Sequence, residues 1–301
     1  MQQRINCIFH ITTACNFNCS YCDVIKDNKR IHLSVRQKII DFINRNHQQI
    51  ESFKFFWGEP LIAWNDIKYI IDHSSLQRRF SIVTNTSLLN EDIFLYFKNH
   101  FWKIFLSIDT ENPFDSEKIV SYIEKYGLKE RIYFNVIVQP ESISLSMQQI
   151  RTLYQSGMRG FNILPVYYVR VWTKDQLREL SSNMKELFSF FEKDPSIRLY
   201  WFQENGWYDS SLFNNVLFIN IDGNIYFSDL VSTFLGDSIK KELFIGELEN
   251  FSISNITEEK ESHYRNVIYD FEQLLYTKVQ WQKELHKLMD YFSIYLNHKN
   301  R

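Results

Sequence analysis

The chain has 301 residues, 34 Lys and Arg against 36 Asp and Glu, a formal net charge of −2 and 45% hydrophobic residues. That is enough chain for one large domain or two smaller ones with a real core. So even a charge balance excludes a global field that would gather nucleic acid or anionic lipid. No apolar run approaches the roughly 18 residues that span a bilayer. The segment Met1 to Asn6 lacks a basic stretch followed by an apolar core, so the expectation is a soluble, cytoplasmic protein with no membrane and no nucleic-acid partner. The chain has eight glycines, and none of them falls into GxGxxG or GxxxxGK[ST], which excludes a dinucleotide fingerprint and a P-loop. Aromatics make up 17%, and they are read chiefly as core filling.

In chain order, short apolar runs alternate with amphipathic ones. Strands are predicted at Ile5–Ile11, Phe53–Trp57, Phe80–Asn85, Ile104–Asp109, Arg131–Val138 and Gly160–Val166. Between them the spacing predicts helices at Ser34–Asn46, with Ser34 as N-cap, then Trp64–His73, Asn90–Phe101, Ser116–Tyr126 and Ser146–Ser156. Successive βα units imply a parallel sheet with right-handed crossovers, in either an open sheet or a partly closed barrel. A long helix, Thr173–Glu192, and an extended segment, Ile197–Phe202, follow. Val216–Ile221 and Ile225–Phe227 flank Asp222-Gly223-Asn224, which predicts a hairpin. Glu258–Asn297 reads as one or two helices. A boundary near Asn205-Gly206 divides the chain into 1–205, an α/β domain, and 206–301, a small C-terminal domain.

Three of the four cysteines, Cys15, Cys19 and Cys22, form CxxxCxxC within eight positions. Three thiolates on one loop can converge on one metal centre, but a closed tetrahedral zinc site would need a fourth ligand from His10, His32 or Cys7. Disulfides fit a cytoplasmic chain poorly. A four-iron four-sulfur cluster with one iron left open to another ligand fits the spacing best.

Cys15-Asn16-Phe17-Asn18-Cys19-Ser20-Tyr21-Cys22, with its aromatic residue before the last cysteine, resembles the cluster motif of the radical SAM superfamily. Trp57-Gly58-Glu59-Pro60 resembles that family's GGEP element, with Trp57 standing where the first glycine is usual. The resemblance implies a partial (β/α)6 parallel barrel with a small α+β C-terminal extension. It also implies one 4Fe-4S cluster on Cys15, Cys19 and Cys22, with S-adenosylmethionine bound at the open iron. One-electron cleavage would yield a 5′-deoxyadenosyl radical that abstracts a hydrogen atom. Glu59 would pair with the cosubstrate's ammonium, beside Gly58 and Tyr21. Asn85, Ser107, Asp109 and Asn135 would supply polar contacts at the carboxyl ends of successive strands, the rim where loops of parallel α/β proteins converge.

Phe218 to Asp229, followed by Phe244-Ile245-Gly246-Glu247-Leu248, resembles the opening of a SPASM domain, an accessory region of radical SAM enzymes that modify peptides or proteins. Ser228 stands where its cysteine is usual, and Cys7 is the one cysteine left, so an auxiliary cluster cannot be fully cysteine-ligated. Cys7 reads as a buried strand residue or as a hydrogen-atom donor, and His10 as a core or a cavity-facing group. Aromatics at Tyr167, Tyr168, Trp172, Trp201, Trp207 and Tyr208 are core or pocket lining. Three functions stay open: radical modification of a ribosomally made peptide by crosslink, epimerisation or oxidation; the same chemistry on a sugar, nucleoside or amino acid; and a non-catalytic iron-sulfur or zinc protein. A flavodoxin or ferredoxin is the reductant implied by the resemblance.

Overall fold

A computed structural model describes residues 4–166, 170–200, 216–228, 231, 233, 239–278, 284, 285, 287–289, 291 and 292. Strands and helices alternate as β1 (Ile5–Phe9), α1 (Leu33–Asn46), β2 (Ile50–Phe55), α2 (Trp64–Asp72), β3 (Phe80–Thr84), α3 (Glu91–His100), β4 (Phe101–Ile108), α4 (Ser116–Tyr126), β5 (Ile132–Val138), α5 (Ile143–Gln155), β6 (Gly160–Pro165) and α6 (Lys174–Phe191). Then come β7 (Arg198–Leu199), β8 (Val216–Ile219), β9 (Asn224–Tyr226), the one-turn α7 (Lys240–Leu243), β10 (Phe244–Glu247) and α8 (Glu258–Lys278). The architecture is the expected α/β one, a partial (β/α)6 parallel barrel. Tyr167, Tyr168, Trp201, Trp207, Tyr208, Asp229 and the Asn205-Gly206 boundary lie outside the described residues. No described helix is long and apolar enough to cross a membrane.

Local chemistry sets the helix ends. Asn90 caps α3 by accepting from Ile93 N, and Thr173 and Gln176 form a reciprocal capping box at α6. Gly127 ends α4 in the left-handed conformation at φ 66°. The N-cap of α1 is His32 rather than Ser34: its ring accepts from Ser34 N, so the cap lies two residues earlier than the serine signal suggested. That role occupies one of the three residues considered as a fourth zinc ligand.

The chain forms two compact units that are not consecutive in sequence. The first contains residues 1–18, 23–104 and 212–271, and the second 19–22, 105–211 and 272–301. In the first, the strand order is β10-β9-β8-β1-β2-β3. The strand β8 runs parallel to β1, with Cys7 opposite Leu217 and Phe9 opposite Ile219, before turning antiparallel into β9 and β10. The hairpin turn is as expected, with Gly223 at φ 86°. Side chains alternate across the sheet. Phe9 packs on Phe53 and Phe55, and Phe53 on Phe80, in an apolar face that also holds Cys7. Asn6 and His10 fall on the opposite face, where Ser52 Oγ donates to Asn6 at 2.6 Å and the His10 ring meets Phe218.

In the second unit β5, β6 and β7 are parallel, with Asn135 opposite Asn162. Phe134, Phe161 and Phe191 carry one face onto α6. The other face has a triad of Phe105, Tyr133 and Tyr200 with ring centres 4.7–5.6 Å apart. Trp172 is fully buried and donates from Nε1 to Val166 O at 2.8 Å, so it is a core residue.

Candidate active site

In the first unit the loop after β1 is pinned by its own threonines. Thr12 Oγ1 donates to Lys29 O at 2.8 Å, and Thr13 Oγ1 accepts from Lys29 N at 2.8 Å. These anchors, missed from sequence, fix the approach to Cys15. Gly58 sits at φ 59°, and a Cβ there would run into the carbonyl oxygens of Thr12 and Ala14. The glycine therefore lets the turn after β2 press on the cysteine loop, a contact sealed by Glu59 N donating to Ala14 O at 2.8 Å. Gly58→Ala should destabilise the fold by roughly 2–5 kcal/mol, combining left-handed strain with overpacking against backbone. A denaturant titration measures it. Trp57 holds φ 70°, and its ring stacks on Phe56 at 4.3 Å. The usual glycine at that position is explained by this left-handed backbone, which the tryptophan keeps at a cost.

Glu59 is fully buried. Its Oε1 accepts from Leu61 N at 3.0 Å and Thr84 Oγ1 at 2.8 Å, and its Oε2 accepts from Asn85 N at 2.7 Å. Burial pushes its carboxyl up to about 7, against the pull of those three donors. Glu59 is thus the N-cap of the short turn Pro60–Ala63 and a tie to the end of β3. Asn85 reaches from that strand end to Asn16 Oδ1 at 2.9 Å and Cys15 Sγ at 3.8 Å, while Phe17 N donates to the same sulfur at 3.5 Å. Cys15, Gly58, Glu59 and Asn85 are brought together.

The second unit gathers Cys19, Tyr21 and Asp109. The Tyr21 hydroxyl donates to Asp109 Oδ2, and burial together with that carboxylate pushes its phenol well up, so it stays a neutral donor. Asp109 Oδ1 also accepts from the backbone N–H groups of Glu111 and Asn112, both at 2.8 Å. Asn112 Nδ2 donates to the same carboxylate and lies 3.3 Å from Cys19 Sγ. Glu111 accepts from Ser20 N at 2.9 Å and from the Ser20 hydroxyl, to which Arg170 also donates. Burial works to raise the Glu111 carboxyl, but the bonds from Ser20 and Gln139 and the nearby Arg170 hold it below the usual range. Ser107 and Asn135 meet in a second group: Asn162 Nδ2 donates to Asn135 Oδ1 at 3.0 Å, and Asn135 Nδ2 reaches Ser107 Oγ at 3.5 Å. Asn112, Glu111, Arg170 and Asn162 were not singled out from sequence. Asn112 and Glu111 carried a usable signal, since both follow a strand-end aspartate.

Cys7 is fully buried with its thiol pushed up by burial, on the face opposite His10. It is inert packing. His10 is buried and lowered to about 4 by burial, which outweighs its bond with the Thr12 backbone, and its Nε2 has no partner among the described residues.

The donor set fits an iron-sulfur cluster: Cys15, Cys19 and Cys22 are half-buried cysteines outside any disulfide, and amide groups face two of the three sulfurs. Among the described residues no three His, Cys, Asp or Glu side chains form a ready-made site for a single metal ion.

Parallel strands carry a cysteine loop after the first and a Gly-Glu-Pro turn after the second, an arrangement that would suit a protein with a cysteine-bound cluster. The Radical SAM superfamily matches residues 9–180, more than half of the chain. The chain belongs to that superfamily and is a radical SAM enzyme. It is similar to the radical SAM cyclopropyl synthase TigE of Paramaledivibacter caminithermalis, 27% identical over 34% of this chain and 26% of that one. It is also similar to the uncharacterized protein MJ0907 of Methanocaldococcus jannaschii, 34% identical over 34% of this chain and 37% of that one. The matches thus span between a quarter and two fifths of these relatives. Among solved structures, native anSMEcpe with bound AdoMet and Cp18Cys peptide has a TM-score of 0.67 at 16% identity, covering 98% of both chains. Streptococcus suis SuiB bound to S-adenosylmethionine has a TM-score of 0.58 at 14% identity, covering 83% of this chain and 64% of that one.

Proposed function

We propose that this radical SAM enzyme abstracts a hydrogen atom from a ribosomally made peptide, leading to a crosslink, an epimerisation or an oxidation. The observation that carries the peptide reading is the likeness, end to end, to a fold whose solved form holds AdoMet and a peptide, together with SuiB bound to its precursor peptide SuiA. Cys15, Cys19 and Cys22 would hold one 4Fe-4S cluster. When bound, cluster and S-adenosylmethionine together supply one-electron cleavage of the sulfonium and a 5′-deoxyadenosyl radical. Glu59 would hold the cosubstrate's ammonium beside the Gly58 turn. Asn85 orients Cys15, the Tyr21–Asp109 pair orients the Cys19 stretch, and the Ser107–Asn135 pair offers hydroxyl and amide groups to a ribose or a carboxylate. In this reading residues 1–205 carry the cluster and cosubstrate contacts, and 206–301 form a cluster-free SPASM-like extension. The reductant is a flavodoxin or ferredoxin.

A small-molecule substrate is the second reading, favoured by Ser228, which is fully buried where an auxiliary-cluster cysteine is usual. The test incubates the reconstituted, reduced enzyme with S-adenosylmethionine and short peptides encoded beside its gene. Release of 5′-deoxyadenosine in step with a peptide mass change is expected. Turnover on a sugar, nucleoside or amino acid with every such peptide left unchanged would sink the peptide reading.

A further inference from the structure

We propose that Asn112 sets the reduction potential of the cluster by donating a hydrogen bond to the Cys19 thiolate. The inference rests on the radical SAM reading above. Asn112 lies on the loop after β4, three residues beyond Asp109, and its backbone N–H donates to Asp109 Oδ1 at 2.8 Å. Its side-chain nitrogen lies 3.0 and 2.9 Å from the two oxygens of the same carboxylate and 3.3 Å from Cys19 Sγ. A carboxylate accepts, so the amide atom facing it is nitrogen and not oxygen. The amide has two hydrogens: one is held by Asp109, and the other is left for the sulfur.

The placement is not a property of one rotamer. The Cys19-Ser20-Tyr21 stretch and the Asp109-to-Asn112 loop are laced at each residue of the cysteine stretch: Tyr21 to Asp109, Ser20 through both its N–H and its hydroxyl to Glu111, and Cys19 to Asn112. Asp109 is the pivot, because one carboxylate fixes the donor and, through Tyr21, the cysteine segment that receives it. Donors at Cys15 are more distant, at 3.5 and 3.8 Å.

A donor on a ligating sulfur favours the state with more negative charge on the cluster, which is the reduced one. Removing it makes the cluster harder to reduce. Iron content and an EPR-monitored redox titration of the anaerobically reconstituted full chain test this on Asn112→Leu and on Asn112→Ala, the latter too small to clash. Both variants should keep their iron. The equilibrium constant for one-electron reduction should fall roughly tenfold, equivalent to about 59 mV for a one-electron couple. Full iron with an unmoved midpoint in both variants would overturn the proposal. So would loss of iron in both, which would make Asn112 part of loop assembly instead. A wild-type chain that takes up no cluster would overturn the functional reading itself, and this inference with it.

Discussion

Cys19→Ala should leave a folded chain that binds no intact cluster and releases 5′-deoxyadenosine at background. Outer partners of a metal ligand cost about 10–100-fold when removed, so loss of a ligand itself should exceed ~100-fold. The thiol is only half-buried, so unfolding of the cluster-free chain should shift by less than about 1 kcal/mol. The pairing of those results is the test. Turnover lost together with the fold would say that Cys19 is structural, whereas turnover retained would remove the cluster from the mechanism. Product release under reducing conditions and chemical denaturation of the cluster-free protein measure the two halves.

Glu59 carries the second large effect, through pH. Its folded value of about 7 lies above the ordinary 4.5, so between those values the folded chain binds more protons than the unfolded one. Stability from this group is therefore present below pH 4.5 and lost as pH rises to about 7, by roughly 3 kcal/mol for a shift of that size. A cationic ammonium at Glu59 selects the ionised form. Affinity for S-adenosylmethionine should then climb up to about tenfold per pH unit below 7 and level off above it. Glu59→Gln should flatten that profile while keeping an acceptor for Leu61 N and the Thr84 hydroxyl. Glu59→Ala strands three donors and should cost roughly 3 kcal/mol or more of stability. Isothermal titration calorimetry across pH 5.5–8.5 (about three units, enough to bracket the transition) reads the binding side. A flat wild-type profile would leave Glu59 as a cap alone.

Much of the barrel was legible because strand and helix periods differ and each βα unit repeats the contrast. Phe80–Thr84 and Ser116–Tyr126 fall almost where their patterns place them. The end of α1 toward its cap was read less well, since His32 and Ser34 can both accept from an early helix N–H and only the backbone turn selects between them. Gly58 was legible as a close-approach glycine, but its neighbour was not: it faces the Thr12 and Ala14 carbonyls. Asn112 could not be found by spacing from Cys19, because a contact across 93 positions depends on how β4 delivers its loop.

By itself the sequence determined the chemistry on offer: three thiols in eight positions, a Gly-Glu-Pro turn after the second strand, and no cysteine to spare but Cys7. Those are short-range facts, set by covalent spacing and residue type. Tertiary structure alone decided which face each strand residue presents, and so sent Cys7 into apolar packing while placing His10 opposite. It also decided that β8 completes the sheet beside β1, and that Glu59 is buried under three donors. Strand partners and burial arise from contacts between residues far apart in the chain, which local patterns constrain but do not choose.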